Sequence, residues 1–488
     1  MATFTRFPCR SPIPKTAAFV LVLVVFLPAQ ARAQELAGLI KHLFDEATIN
    51  APSPNPANPS QTIAHQPHFI VGENLKLTTR EVNVALASQL SSFPLASSSG
   101  GFTFSVNERG EITPTSTNFG PSFAERGVTI GRKQLNFGFT FQGTSYDSFE
   151  GIDLESNALS FIREHNDCCP ATQNNPAAVT NFNPEFERDL LRSDLRASID
   201  TKTTAFFANY GVTNRFDIGL AVPIVNVEID ATVDAEILRT ASGITPLTHS
   251  FDGQGSSTAS FSDHGSATGL GDILLRAKYN FLRTSTAALA GALDLRLPTG
   301  DKDNLLGTGA TQTKLLFVGS GEYGRLSPHV NIGYTFSSGE ASAEATSFDL
   351  DPAQYALNTV PGFVANEVDL SVPDEFNYTL GFSVAATSRV TVGFDMYGRT
   401  MRDVPRFSLE NNVYANRGAG ALPSASYTAN DEFSVESLNG NLNLLLGVVG
   451  GKINLGGTFL LNLTLLFPMT DAGLKPNPTP VVGFDYVF

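Results

Sequence analysis

The feature that most constrains this chain is an alternation, with a period of two residues, between large apolar side chains and small or polar ones. It dominates from about residue 133 to the C-terminus, for example over 135–141, 216–224, 330–336 and 459–467. Successive side chains of a β-strand point to opposite faces, so the pattern predicts strands with one apolar and one polar face. A soluble β-sandwich shows the same alternation, and two all-β classes therefore remain.

The connections between these strands separate the two classes. Short turns on one rim and long loops on the other are typical of transmembrane β-barrels, whereas a Greek-key sandwich has no reason to alternate them. Charged residues make up only 16% of the chain, against about 25% in an average domain, as expected if one face of every strand meets lipid. The short connections lie near 211–214, 282–286, 324–326, 385–389 and 455–457, and the long ones near 231–270, 299–312, 337–373, 402–440 and 468–478.

The predicted fold is therefore all-β, a transmembrane antiparallel barrel over residues 119–488. Counting back from the C-terminus gives about fourteen strands, within a range of twelve to sixteen, if 120–131, 133–146 and 155–164 are the first three. The weakest of these strand assignments are 155–164 and 190–210. An even number is usual in single-chain bacterial barrels.

The N-terminus has the features of a cleaved secretory signal peptide. Basic residues precede an apolar stretch over 17–28, and Ala31-Arg32-Ala33 fits the small-x-small cleavage rule, so residues 1–33 are predicted to be removed. The whole chain carries a formal net charge of −15, and loss of four basic residues from this segment would leave −19. Such an acidic protein is a poor candidate for binding nucleic acid.

Residues 34–118 lack the strand pattern and form a separate region. Residues 35–48 place Leu36, Leu39, Ile40 and Leu43 on one face of a predicted helix. We expect a partly helical segment that acts as a hatch, folding into or beneath the lumen. A periplasmic tail and an interfacial helix are the alternatives.

Two further features concern export and assembly. Cys168 and Cys169 are adjacent, and the alternatives for them are a vicinal disulfide in a loop or an intermolecular bridge. The C-terminal strand ends on aromatic and apolar residues of one face, which resembles the signal read by the barrel assembly machinery. The residues of this signal would be Val482, Phe484, Tyr486 and Phe488.

Charged side chains within the strands are expected to face the lumen, because a charge facing lipid at the midplane costs about 2–4 kcal/mol. Five acids and five bases could form a charged constriction, or a network of ion pairs that braces the wall, and the balance of signs favours the network. The two predicted pairs are Asp272 with Arg296 and Asp395 with Arg399. The full set is Asp217, Asp272, Arg276, Lys278, Asp294, Arg296, Asp395, Arg399, Lys452 and Asp485.

The sequence favours neither an enzyme nor a metalloprotein. It has no G-x-S-x-G nucleophile motif, and His329 is the one in-strand histidine considered for catalysis, without an evident partner. His65 and His68 lack a third ligand in a linker region. We expect no catalytic residue, cofactor or metal.

Four stretches, in this order, resemble a known family. They are "ANYGVTNRFDIGLAVPIV" (208–225), "GLGDILLRAKYNF" (269–281), "LDLRLPTGDKDNLLGTG" (293–309) and "SPHVNIGYTF" (327–336). They resemble the outer-membrane transporter family associated with the meta pathway of phenol degradation, which is similar to the long-chain fatty-acid and aromatic-hydrocarbon channels. The resemblance covers roughly 120–488 and implies fourteen strands that enclose an N-terminal hatch.

The leading functional hypothesis is an outer-membrane channel for passive uptake of small hydrophobic or aromatic compounds through a plugged barrel. The alternatives are a general diffusion porin for polar solutes and a structural or adhesive barrel that uses its long loops. The expected partners are outer-membrane lipid, the barrel assembly machinery and a small-molecule permeant.

Overall fold

A computed structural model describes residues 36–49, 118–155, 159–165, 189–240, 249–345, 366–414 and 426–487, with short stretches and single positions between 53 and 114. The fold is that of the unit formed by residues 34–488, which is distinct from residues 1–33. The predicted signal peptide, the two adjacent cysteines, His65, His68 and Phe488 lie outside the described residues.

The described chain is almost entirely β-structure. A short 3-10 helix, Leu36–Gly38, leads into helix α1, Leu39–Glu46, which confirms the helix predicted over 35–48. The strands are, in chain order, β1 Ser53–Asn55, β2 Asn58–Ile63, β3 Phe69–Ile70, β4 Phe104–Val106, β5 Ile112–Pro114, β6 Leu135–Phe149, β7 Ile152–Asp153, β8 Leu159–His165, β9 Leu190–Gly211, β10 Phe216–Leu238, β11 Thr258–Leu270, β12 Ile273–Arg283, β13 Ala287–Leu297, β14 Ala310–Gly321, β15 Leu326–Ala345, β16 Asn366–Ser371, β17 Glu375–Ala385, β18 Val390–Tyr414, β19 Tyr427–Gly456, β20 Phe459–Pro468, β21 Leu474–Pro476 and β22 Thr479–Val487.

These strands close into one antiparallel barrel with twelve wall positions. Four positions hold two strands in line: β6 with β8, β11 with β12, β16 with β17, and β21 with β22, each couple pairing with the same neighbour. The last strand closes the circle on the first, with Phe484 opposite Phe139. Within the described residues, closure leaves no open sheet edge around the part of the wall that carries the outward apolar residues.

The wall has an apolar outer face and a largely polar inner face. Outward aromatic and aliphatic side chains such as Phe139, Leu220, Phe317 and Leu380 are 36–60% exposed, whereas the alternate positions on the same strands are buried. An exposed apolar band around a closed barrel is the surface that a bilayer covers. In the described part of the chain, no helix has the length and apolar character needed to cross a membrane.

The strand count differs from the expected fourteen, although twelve lies within the predicted range. Residues 120–131 form no strand, because several of their N–H groups bond to side chains of the wall rather than to a neighbouring strand. β8 continues the wall position of β6 instead of adding one. The predicted strand over 190–210 is confirmed as β9.

Three of the predicted long loops are instead, in part, extensions of the wall. In the loop predicted over 337–373, β15 and β16 pair from Glu340 with Ser371 up to Ala345 with Asn366. β10 and β11 pair from Ile224 with Leu270 up to Glu236 with Thr258, inside the region predicted as a loop over 231–270. β18 and β19 likewise pair up to Tyr414 with Tyr427. The wall therefore rises beyond the apolar band on both sides of the barrel, at the end away from the short turns, which we call the long-loop end.

Candidate functional site: the barrel interior

Residues 118–131, which we call the interior segment, cross the barrel close to the short turns. The backbone N–H of Phe119 donates to Thr391 Oγ1 (3.0 Å), that of Gly127 to Ser320 Oγ (3.0 Å) and that of Ile130 to Asp217 Oδ2 (2.9 Å). These acceptors lie on β18, β14 and β10, so the segment is bonded to well-separated parts of the wall. Hydrogen bonds to side chains of the wall thus take the place of the backbone–backbone hydrogen bonds that a strand would have made with its neighbour.

Glu125 is the ionic centre of the interior segment. Its carboxylate pairs with Arg276 and lies 3.4 Å from Lys278 Nζ, both on β12. Its backbone N–H donates to Asn331 Oδ1 (2.7 Å), and Asn331 Nδ2 donates back to its carbonyl oxygen (3.0 Å). Glu125 and Lys278 are almost fully buried, so the Lys278 charge depends on Glu125 for compensation, while Lys278 and Arg276 together compensate Glu125.

Hydrogen bonds fix the first half of the segment against the opposite wall. Ser122 Oγ donates to Asn462 Oδ1 and accepts from Thr464 Oγ1, both at 2.9 Å on β20. Asn118 and Ser383 exchange two bonds, at 3.1 and 2.9 Å. The interior segment is thereby bonded across the whole width of the barrel.

The structure places the predicted lumen residues on the inner face of the wall. Nine are buried there or nearly so, and Arg296 is half-buried. Arg276 makes a bidentate contact with Asp294 on the adjacent strand β13, with Nε–Oδ1 at 2.6 Å and Nη2–Oδ2 at 2.5 Å. Asp217, Arg276 and Lys278 contact the interior segment directly. Lys452 and Asp485 lie on the inner faces of β19 and β22.

Three of the four residues in the two predicted pairs have other partners in the structure. Asp272 accepts bonds from the backbone of Gly300 (3.0 Å) and Thr308 (2.8 Å), and so closes the β13–β14 connection. Asp395 accepts from His329 Nε2 at 2.5 Å, and Arg399 Nη1 lies 3.5 Å from Glu375 Oε1. The pairings of Asp272 with Arg296 and of Asp395 with Arg399 were wrong because the register between strands cannot be read from alternation alone.

Sequence reasoning missed Glu125, Arg126 and Glu375. Glu125 and Arg126 were assigned to a wall strand. Nothing in the sequence indicates that they are buried or that they contact residues across the lumen. Arg126 is buried, donates to the Asn118 carbonyl oxygen (3.2 Å) and pairs with Glu322 near a short turn. The glycines and the proline within 120–131 were the available hint that this stretch is no strand.

The half of the interior nearest the long loops is apolar. Helix α1 packs its leucines against the inner face of β10 and β11, where a Cβ on Gly265 would lie 2.5 Å from Leu36 and 2.7 Å from Leu39. Arg163 Nη2 donates to the carbonyl oxygens of Phe44 (3.0 Å) and Ala47 (2.8 Å), which caps the end of the helix. The glycine therefore sets how closely the helix approaches the wall.

A chain of aromatic rings continues from this helix. Phe44 contacts Phe161, which contacts Phe433, with centroid separations of 5.0 and 5.9 Å. Phe407 stacks on Phe433 at 5.2 Å and 10°, and Phe149 contacts both. These buried rings give one side of the interior, in the half nearest the long loops, an apolar surface. We call this half the upper interior.

A cavity of about 180 Å³ lies where the pairing between β17 and β18 ends, at Glu375 opposite Met401. Beyond this point the described pairings join β16 to β15 and β18 to β19. Asp403, at a bulge of β18 and in the left-handed region (φ 55°), lines the cavity. Its other walls include Glu81, Ala85, Val404 and Leu442, so its lining combines apolar surface with two carboxylates.

The geometry defines a class of protein: a membrane-spanning β-barrel with a segment of its own chain bonded across the interior. Residues 192–435, half of the 488-residue chain, match the model of the family described as "Putative MetA-pathway of phenol degradation". The chain belongs to this family, which confirms the resemblance seen in residues 208–336.

Three solved structures are similar in part. An outer membrane channel from Pseudomonas putida F1 shares 10% identity, covering 74% of this chain and 97% of its own, with a TM-score of 0.37. The monoaromatic hydrocarbon channel TodX, as a deletion mutant, shares 12% identity over 82% and 99%, with a TM-score of 0.34. A Pseudomonas aeruginosa FadL homologue shares 11% identity over 73% and 89%, with a TM-score of 0.30. No curated protein matches the sequence.

Proposed function

We propose that this protein is an outer-membrane channel for the passive uptake of small hydrophobic or aromatic compounds. The observation that carries the proposal is the cavity of about 180 Å³ in the upper interior. An engineered apolar cavity of about 150 Å³ holds benzene, so a single-ring compound fits this volume. The buried aromatic rings belong to the same hydrophobic cluster as Ala85 of the cavity lining, and they offer further apolar surface to such a molecule.

In this proposal the interior segment and the N-terminal region act together as the hatch. Helix α1 and the helical residues Glu81, Ala85 and Gln89 belong to the apolar half, where a permeant would be held. The interior segment closes the polar half near the short turns. A permeant would leave toward the periplasm only after some of the bonds around Glu125 are exchanged, so the lumen charges retain the segment.

Export and assembly follow as part of the same proposal. Cleavage after Ala33 would release a mature chain that starts at Gln34, and the barrel assembly machinery would recognise strand β22. Mass spectrometry of the protein purified from outer membranes tests the first point. A chain that still carries residues 1–33 would contradict it.

Filling the cavity tests the function. Ala85→Leu should reduce uptake of a radiolabelled monoaromatic compound several-fold, because the added carbons occupy the space. Ala287→Leu, a substitution of the same size on β13 away from the cavity, should leave uptake unchanged. Undiminished uptake in Ala85→Leu would contradict a role for the cavity.

Planar-bilayer recordings of the unmodified protein distinguish the alternatives. Few or small openings together with aromatic uptake support the proposed channel. Large ohmic openings with uptake of polar solutes would instead support a general porin. Absence of both would leave a structural or adhesive barrel.

A further inference from the structure

Beyond the apolar band, the outward face of β10 becomes acidic. Between Ile224 and Leu238 this face carries no large apolar residue, and its outward positions include Glu228, Asp230, Asp234 and Glu236. These residues lie in the wall extension formed with β9 and β11, above the surface that lipid tails cover. They are independent of the interior and of the channel function proposed above.

Three potential metal ligands converge in this extension. The register of β10 and β11 places Asp230 directly opposite His264, and Glu228 lies two residues before Asp230 on the same face. One ligand atom of each side chain lies within 4.8 Å of the other two. His264 Nδ1 is 2.7 Å from Asp230 Oδ1, so the imidazole already points into the group.

The charges around these ligands favour a bound cation. Glu228 stands directly opposite Asp200 of β9, an arrangement of like charges that destabilises a sheet. Within the described residues, neither carboxylate makes an ion pair within 4.0 Å, although Lys202 lies one same-face position away on β9. A divalent cation held by Glu228 would offset this repulsion.

We propose that Glu228, Asp230 and His264 bind a divalent transition-metal ion, of which Zn²⁺ is the natural probe. One imidazole nitrogen and two carboxylate oxygens are ligands that Zn²⁺ takes at about 2.0–2.2 Å, with water completing the shell. Rotation of the three side chains would bring their ligand atoms to coordination distance from the ion. Ca²⁺ and Mg²⁺ prefer six or more oxygen ligands, so the imidazole disfavours them.

The site would fasten the β10–β11 hairpin. In the described part of the chain, β11 pairs along its length with β10 alone, so it is an edge strand where it rises above the band. A metal ion that joins Asp230 to His264 would link the two strands through their side chains. Zn²⁺ should therefore slow amide hydrogen exchange in β11.

The experiment uses the untagged full-length protein in detergent, with Cys9, Cys168 and Cys169 all replaced by Ser so that thiolates do not bind the probe. Isothermal titration with Zn²⁺ should show one site per chain. His264→Gln should weaken it at least about tenfold, as expected when a ligand is lost. His42→Gln, which alters a half-exposed histidine inside the barrel, should leave it unchanged.

Two further measurements test whether His264 is a metal ligand and whether each variant is folded. Co²⁺ should give the visible absorption of a four- or five-coordinate site in the parent protein and lose it in His264→Gln. Heat-modifiable migration on electrophoresis checks that each variant is a folded barrel. Absence of Zn²⁺ binding, or equal binding by folded His264→Gln, would overturn the proposal.

Discussion

At the scale of single residues, a glycine makes room for a buried polar pair. His329 on β15 and Asp395 on β18 are separated by β17, where Gly381 is opposite both. A Cβ on Gly381 would lie 2.7 Å from His329 Nε2 and would also overlap Asp395. The hydrogen bond between the two buried side chains therefore passes across a position that only glycine leaves open.

Gly381→Ala should destabilise the barrel by about 1–3 kcal/mol, the cost of leaving buried polar partners unsatisfied. Urea-induced unfolding from lipid vesicles measures the change in the free energy of unfolding. Gly291→Ala is the matched control, because a Cβ at this strand glycine meets nothing within 4 Å. Equal stabilities for the two variants would show that the pair is not maintained by the missing side chain.

Glu125 permits a second prediction at this scale. Glu125→Gln keeps the shape of the side chain but leaves Lys278 without its carboxylate partner. Since breaking a buried ion pair costs about 3–5 kcal/mol, the interior segment should detach more often, and openings in planar bilayers should become several-fold more frequent. Glu410→Gln, on an exposed position of β18, should behave like the parent protein, and an unchanged opening frequency in Glu125→Gln would count against this role.

The direction of most charged side chains could be predicted from the sequence, whereas their partners could not. Alternation determines the face, so Asp217, Lys278 and Asp395 were expected on the inner side. Partners depend on strand register and on contacts across the lumen, neither of which leaves a local pattern. The same limit applies to Glu228 and His264, which lie 36 positions apart in the numbering and meet only through the pairing of β10 with β11.

At the scale of elements, the interior segment was the main error in the sequence-based fold. Its residues were predicted as the first wall strand, and β6 was thereby moved to second place. The physical difference lies in where the backbone hydrogen bonds go: to side chains from several strands instead of one neighbouring strand. Strand β20, by contrast, was predictable because large apolar residues repeat at every second position. The assignment of β9 was among the weakest, because many of its outward positions are polar or charged.

Locking the interior segment tests its movement. Ser122→Cys with Thr464→Cys, in a background lacking Cys168 and Cys169, replaces two hydroxyls 2.9 Å apart by thiols that can form a disulfide. The oxidised protein should take up aromatic compounds at a small fraction of the rate of the reduced protein. Each single-cysteine variant is the control, and equal rates before and after reduction would mean that transport does not need this movement.

At the scale of the whole molecule, the apolar band determines where charges are tolerated. Leu380 is 60% exposed near the middle of the outward face of β17, and Tyr323 is 61% exposed at a short turn. The low charge of the chain follows from this band, which also contains several of its phenylalanines, such as Phe139 and Phe317. The free-energy cost of placing a charged side chain on the outer face should therefore depend on its depth within the apolar band, rather than on the exposed fraction of the side chain it replaces.

Leu380→Arg should therefore lower the free energy of unfolding from vesicles by about 2–4 kcal/mol, while Tyr323→Arg should cost about 1 kcal/mol or less. Urea titrations of the two variants in the same lipid give the comparison. The equal exposure of the two parent side chains makes them a matched pair. Similar costs at both positions would indicate that the band is placed differently along β17.

The closure of the wall also has a consequence for the order of biosynthesis. Strand β6 pairs on one side with β9, which follows soon after it, but on the other side with β22, the last strand made. Until β22 arrives, the sheet has two unsatisfied edges, which are sites of unwanted pairing between chains. During export β6 is therefore open to such pairing until the barrel closes, and loss of β22 would expose both β6 and β20 at once.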